Sequence, residues 1–285
     1  MTRLAELEAR ISGMEDLHDI VGAMRSLAGM RLIEAQRALP GIRRYADILA
    51  AAIGTSLALL PEMRPGAATS GGKRALILCG SEHGFVGAFN EKLLDEAQGL
   101  IRPEDLLFLL GSRATVLAED RGWVATWSGR MATRSASAPD MVRALSGELY
   151  RRIALGQLSR IEILYARHQP GGVARIEHRL LLPLDLTPLA AAPRRQTPLH
   201  YLPAGLLCEK LMTDYIFALL GEAVIESVAS ENGARLAAME SAHENLQKKL
   251  AQLRLVAAQT RQNDITTELI DLITGAEAQE TGFRL

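Results

Sequence analysis

Cysteines, aromatic residues, long apolar runs and net charge are all scarce in this chain, and each scarcity excludes something. Among 285 residues there are two cysteines, Cys79 and Cys208, and no C-x-x-C pair. That is too few for a disulfide framework or a cysteine-rich zinc site, so both read as small apolar packing residues. Aromatics make up 4% of a chain that is 48% hydrophobic, so burial must come from Leu, Ile, Val, Ala and Met. That mixture favours helices and aliphatic sheets. A formal net charge of -1 supplies no general field for nucleic acid or an anionic membrane surface, and no nucleic-acid partner is expected. The longest uncharged apolar run, Ile48 to Pro61, has 14 residues and includes Gly54, Thr55 and Ser56, whereas a membrane-spanning helix needs about 20. The first ten residues mix charges and lack an apolar signal region. A soluble protein of a reducing compartment is expected, with no direct membrane insertion.

Proline is also missing from the stretch between Ala204 and Ile273, which carries the strongest helical pattern in the sequence. An unbroken helix of that length would extend roughly 100 Å, several times the width of a small domain. Within it Leu236, Met239, His243, Leu246, Leu250, Leu253, Ala257 and Thr260 recur at alternating steps of three and four, the seam of a coiled coil. A partner with the same stepping stands at the other end of the chain: Leu4, Leu7, Ile11, Met14, His18, Val21, Met24 or Arg25, Ala28, Leu32, Ala35 and Leu39. An antiparallel pair is the simplest way for the two to meet. A kink or short break is expected near Leu39, because Pro40 removes a backbone donor and clashes with the preceding turn. Gly221 and Gly233 are the places to expect a bend or break in the long C-terminal helix.

Between the helices the pattern changes. Pro61 to Gly72 reads as a linker. Arg74 to Cys79 is a buried-strand run, followed by a Gly-containing turn and a helix from Asn90 to Leu100. Strand and helix repeat at Leu106 to Leu110 and Ser112 to Asp120, and Gly122 to Trp127 reads as a third strand. A helix is expected over Pro139 to Ala154, then strands at Ile161 to Tyr165 and Ile176 to Leu182 around the turn Gln169-Pro170-Gly171-Gly172. A second linker runs from Leu184 to Pro203. The expected fold class is α/β with long helices: an antiparallel coiled coil of the N- and C-terminal helices, residues 1–60 and 204–285, plus an inserted Rossmann-like α/β domain, residues 73–185, with a mostly parallel sheet.

The candidates for chemistry are weak. Gly80-Ser81-Glu82-His83-Gly84-Phe85-Val86-Gly87-Ala88-Phe89-Asn90 lies where many α/β folds bind phosphates, but it is not G-x-G-x-x-G, and a tight strand-to-helix turn without a ligand is the preferred reading. Gly71-Gly72-Lys73-Arg74 precedes a strand and lacks the P-loop spacing. Ser81 and His83 lack a G-x-S-x-G context and an orienting acid. The remaining histidines, His18, His168, His178, His200 and His243, show no metal spacing. His18 and His243 fall on the two seams, where neutral packing residues are the default reading and a pH-sensitive register contact is the lesser one. No catalytic residue, metal or cofactor is expected.

Four segments, in order along nearly the whole chain, resemble the gamma subunit of F-type ATP synthases. Ser230-Glu231-Asn232-Gly233-Ala234-Arg235-Leu236-Ala237-Ala238-Met239 is similar to that family's S-E-x-x-A-R-M-x-A-M signature, and Arg261-Gln262-Asn263-Asp264-Ile265-Thr266-Thr267-Glu268-Leu269 to its R-Q-x-x-I-T-x-E run. Ile20-Val21-Gly22-Ala23-Met24 resembles I-T-K-A-M, and the turn from Ser81 to Asn90 resembles S-D-R-G-L-C-G-G-F-N. The resemblance implies a non-catalytic rotor shaft that couples ion flow through a membrane c-ring to an alpha/beta catalytic hexamer. It implies an α/β domain near the epsilon subunit and the c-ring, on the cytoplasmic face of a bacterial inner membrane. Arg261, Gln262 and Thr266 would then contact the catalytic subunits, with Met24 on the opposite, N-terminal helix. Gly22, the Leu32-Ile33-Glu34 stretch, Pro40 and Gln259 depart from the family pattern and mark a divergent member, such as the gamma subunit of an alternative or sodium-translocating ATPase. A nucleotide-binding α/β enzyme and an unrelated coiled-coil scaffold are the competing readings.

Overall fold

The computed structural model describes residues 3–60, 71–169, 174–185 and 199–282, with side chains to residue 273. Its elements are α1 (Arg3–Leu57), β1 (Lys73–Cys79), α2 (Phe89–Gln98), β2 (Leu106–Leu110), α3 (Ser112–Asp120), β3 (Trp127–Gly129), a 3-10 turn (Ser135–Ser137), α4 (Ala138–Ala154), β4 (Leu158–Arg167), β5 (Arg175–Leu182) and α5 (Ala204–Gly282). Most of the expected first linker, the 170–173 turn and much of the second linker lie outside the described residues. The chain divides into two compact units, Met1–Ser26 with Met239–Leu285, and Leu27–Ala238.

In the larger unit the sheet has the order β3-β2-β1-β4-β5. β1 pairs in parallel with β2 and β4, β2 with β3, and only β4 and β5 run antiparallel. The sheet is mostly parallel, as its aliphatic strands lead one to expect. Such strands are apolar on both faces because both faces are covered. Leu76, Leu78, Leu107 and Leu109 meet Leu93, Leu94 and Ala97 of α2 and Ala118 of α3. On the other face Ile77, Phe108, Ile163 and Tyr165 join Val142, Leu145 and Leu149 of α4, Ala35 and Leu39 of α1, and Leu220, Val224 and Val228 of α5. The inserted sheet therefore shares one core with the two long helices.

The long helices are not broken where the sequence allowed a break, and one strand lies later than expected. Pro40 lies within α1, which continues to Leu57. Its missing donor falls at an exposed position, while Ala35, Leu39 and Ala46 are buried around it. Packing of that stripe offsets the cost of an interior proline, about 3 kcal/mol. Gly221 and Gly233 likewise lie inside an unbroken α5. Both admit close neighbours: a Cβ at 221 would lie 3.3 Å from Ile42 Cδ1, and one at 233 would lie 3.0 Å from His168 Nδ1. The third strand is Trp127–Gly129, later than the 122–127 reading. Residues 121–123 instead close the end of α3, with the Gly122 and Trp123 amides donating to Glu119 and Ala118, and Trp123 and Ala125 pack on the α2–α3 core.

In the smaller unit α1 and α5 run antiparallel. Arg25 meets Glu240 at 3.5 Å, Glu15 meets Arg254 at 2.5 Å and Glu8 meets Arg261 at 2.6 Å, so partner numbers rise on one helix as they fall on the other. The seam matches the sequence pattern: Leu4, Leu7, Ile11, Met14, His18 and Val21 are half-buried between exposed neighbours, and Met239, Leu250, Leu253 and Ala257 are buried.

Candidate functional site: a helix-held turn and an exposed helix end

The S-E-x-x-A-R stretch of α5 is where the sheet domain is fastened to the long helix. Ser230, Glu231, Asn232 and Arg235 are all buried. The Ser230 hydroxyl donates to the Ala166 carbonyl of β4 at 2.8 Å. Arg235 donates to Glu231 at 2.6 Å, one helical turn away, and to the carbonyls of His83 and Gly84 at 3.3 Å. Charge and hydrogen bonds thus meet in one guanidinium, whose planar fork suits several acceptors. Burial pushes the Glu231 carboxyl up, and Arg235 pulls against it.

The turn it holds is braced by Ser81 and Asn90. The Ser81 amide donates to Asn90 Oδ1 at 2.9 Å, Asn90 Nδ2 donates to Ser81 Oγ at 2.7 Å, and that hydroxyl donates to the His83 carbonyl. The Gly80 amide goes to Leu110. Burial would push the Glu82 carboxyl up. The Met131 amide, Arg130 and Ser112 outweigh this and hold it below the ordinary range. The Gly80 and Ser81 amides are thereby occupied within the chain, and the Ser81 hydroxyl meets the His83 carbonyl and not its imidazole, so the two do not form a nucleophile and base.

A second polar cluster ties α1, β4, β5 and α5. Arg43 donates to Glu222 at 3.0 Å and also reaches Glu226. Arg179 donates to Glu222 at 2.7 Å, and the His168 amide to Glu226 at 3.3 Å. Burial raises the Glu222 carboxyl, but Arg179 and Arg43 reverse the sign and leave it below its usual range. Glu226 stays raised, because burial outweighs Arg43, the His168 amide and Arg167.

The four residues singled out from sequence fall in two places. Arg261, Gln262 and Thr266 are exposed on adjoining turns of α5, with the Thr266 hydroxyl donating to the Gln262 carbonyl at 2.8 Å. Facing Arg261 on α1 is Glu8. Met24 is half-buried beside Arg25, whose partner Glu240 lies about six turns of α5 from Arg261. Sequence reasoning quoted Glu231 and Arg235 within the S-E-x-x-A-R stretch without giving them a role, and passed over Arg43 with Glu222. That signature and the i, i+4 spacing of Glu231 and Arg235 were the signals there to be read.

Among the described residues no helix is long and apolar enough to cross a membrane, and no group of three or more metal-ligating side chains occurs. Fold and site define a class: a mostly parallel α/β sheet inserted between two long helices and sharing a core with them. The ATP synthase family model matches residues 3–279, and the chain belongs to that family. It is 28% identical to an ATP synthase gamma chain of Methylobacterium nodulans, over 98% of this chain and 100% of the relative. It is 27% identical to one of Gluconobacter oxydans, over 98% and 100% respectively. Among solved structures it resembles a chain of the Euglena gracilis mitochondrial ATP synthase OSCP/F1/c-ring assembly, with TM-score 0.65, 15% identity and coverage of 99% of this chain and 96% of that one. A chain of the Tetrahymena thermophila mitochondrial ATP synthase central stalk and c-ring matches with TM-score 0.57 and 17% identity, over 78% of this chain and 99% of that one.

Proposed function

We propose that this chain is the gamma subunit, the central rotor shaft, of an F-type ATP synthase or ATPase, coupling ion flow through a membrane c-ring to conformational change in an alpha/beta catalytic hexamer. The observation that carries the reading is the end of α5: every residue from Arg261 to Ile273 is exposed, and that surface mixes Arg261, Gln262 and Thr266 with Ile265, Leu269 and Leu272. A helix displaying that much apolar side chain is built to be surrounded by other proteins. Polar contacts among the apolar ones suit a surface that turns, since an exposed charge contact contributes only about 0–1 kcal/mol and is readily exchanged.

On this reading Met24, Arg261, Gln262 and Thr266 meet the alpha and beta subunits. Residues 1–60 and 204–285 supply the shaft, and residues 73–185 meet the epsilon subunit. Leu199, Tyr201, Leu202 and Leu206, exposed just before and within the first turn of α5, suit the c-ring. The chain then works as a peripheral, non-catalytic subunit on the cytoplasmic face of a bacterial inner membrane, in ATP synthesis and ion transport, without a cofactor of its own. Reconstitution with alpha and beta subunits tests this. A stable complex whose ATP hydrolysis depends on this chain is expected. Self-association with no affinity for those subunits, or micromolar nucleotide binding by this chain alone, would overturn it in favour of a scaffold or a nucleotide-binding enzyme.

A further inference from the structure

The seam between α1 and α5 contains one pair unlike its aliphatic neighbours. His18 and His243 stack face to face with ring centroids 4.1 Å apart and an interplanar angle of 27°. The geometry fits uncharged rings. His243 Nε2 lies 3.2 Å from Gln247 Nε2, so it is placed as an acceptor, and a neutral ring then carries its proton on Nδ1. Nδ1 is buried with no hydrogen-bond partner. A second proton on this ring would sit at Nε2, where it would cancel the Gln247 contact.

Charges around the pair come from both helices. On α1, Asp19 lies 3.5 Å from His18 Nδ1 and Arg25 stands two turns on; Glu15, one turn back, is engaged by Arg254. On α5, Glu240 and Glu244 flank His243, and Glu240 is also met by Arg25. One imidazolium in the stack is therefore balanced by a nearby carboxylate. Two imidazoliums held face to face at this distance repel each other, and separating them requires the helices to part.

We propose that the stacked His18–His243 pair is an acid-sensitive joint in the helical pair of residues 3–26 and 239–282, opening locally once both rings are protonated. Desolvation, His18 and Arg25 hold His243 below its ordinary 6.5, against Glu240 and Glu244. The sign follows: a folded-state value below the unfolded one means the open form binds more protons. The contribution to closure is full above about 6.5 and is lost as pH falls through the lowered value. This inference concerns the chain itself and does not depend on the rotor reading.

The test is amide hydrogen exchange on the full chain, corrected for the intrinsic pH dependence of exchange, compared between about pH 7.5 and 5.5. Exchange over residues 14–24 and 239–250 should quicken severalfold on acidification. In the His18→Gln/His243→Gln double variant it should stay level. Equal acceleration in the variant, or none in the native chain, would overturn the proposal. An independent reading that needs no variant is the NMR titration of the two imidazoles: two separated steps support the joint, and two coincident steps near the ordinary histidine value sink it.

Discussion

Arg261 Nη2 donates to Glu8 Oε1 at 2.6 Å, so the cation at the start of the R-Q run is already engaged within its own helical pair. Both side chains are more than half exposed or close to it, at 61% and 50%. Such a pair contributes about 0–1 kcal/mol and is easily given up to another carboxylate. Arg261→Ala and Glu8→Ala should therefore each leave thermal unfolding within about 1 kcal/mol of the native chain. Their effects should diverge in a reconstituted complex: Arg261→Ala lowers coupled hydrolysis, whereas Glu8→Ala does not. Equal losses would mean that Arg261 serves only to hold α1.

Arg235 and Glu231 call for a different expectation, because their pair is buried. Removing one partner of a buried ion pair typically costs about 3–5 kcal/mol. Arg235→Ala strips donors from Glu231 and from the carbonyls of His83 and Gly84, and should fall in that range. Glu231→Gln should cost less, because burial already opposes the charge at Glu231 and the amide oxygen still accepts from Arg235. Urea unfolding of the two variants gives the order, and a larger loss for Glu231→Gln would contradict it.

Glycine substitutions separate close backbone approach from helix weakness. A Cβ at Gly80 would lie 2.1 Å from Ala114 Cβ, with Asn90 Oδ1 at 3.2 Å and the Leu110 carbonyl at 3.3 Å. The β1 end and α3 must move apart to admit it. Gly80→Ala should thus destabilise by at least the roughly 1–3 kcal/mol of ordinary overpacking. At Gly221 the added methyl meets only the Ile42 side-chain end, at 3.3 Å. The gain of about 1 kcal/mol from alanine in a helix interior should offset that, leaving Gly221→Ala close to neutral in thermal unfolding.

These contrasts show where the sequence was readable. The seam from Leu236 to Ala257 and its partner from Leu4 to Val21 repeat over many turns, and β2 and α3 have sharp apolar and polar edges; all of these stand where their patterns put them. Gly122 to Trp127 misled because Trp123 and Ala125 are apolar for packing onto α2 and α3, not for strand pairing. Pro40 and Gly233 do not break their helices, since local propensity knows nothing of the buried stripe at Leu39 or of His168 against α5. The Arg43, Arg179 and Glu222 cluster joins residues far apart in sequence, and no local spacing announces it.

That cluster has a pH signature. Glu222 has its carboxyl held below the ordinary range by Arg179 and Arg43, in spite of burial. Its folded-state value is depressed, so its contribution is present above the unfolded carboxylate value of about 4.3 and is lost as pH falls through the folded one. Glu222→Gln should be less stable than the native chain at pH 7, and the gap should narrow as pH drops from about 5 to 3. A gap that stays constant over that range would show that the charge on Glu222 adds nothing to stability.

Cys79 offers a measure of how tightly the sheet is closed. Burial pushes its thiol up from 9.0 to about 12, with Ser227 pulling weakly the other way. The thiolate is the reactive form, so at pH 8 this shift alone cuts the reactive fraction roughly a thousandfold. The side chain is also fully buried in the core shared by the sheet, α1, α4 and α5. Cys208 is buried too. In the native chain a disulfide reagent at pH 8 should therefore label Cys79 only through opening of that core, with Cys208 identified separately by a Cys79→Ala control. Both thiols should react at once in denaturant. Rapid labelling of Cys79 without denaturant would mean that β1 is reached by solvent through local opening, and that the helices covering it are held less firmly than Arg235 and Arg43 imply.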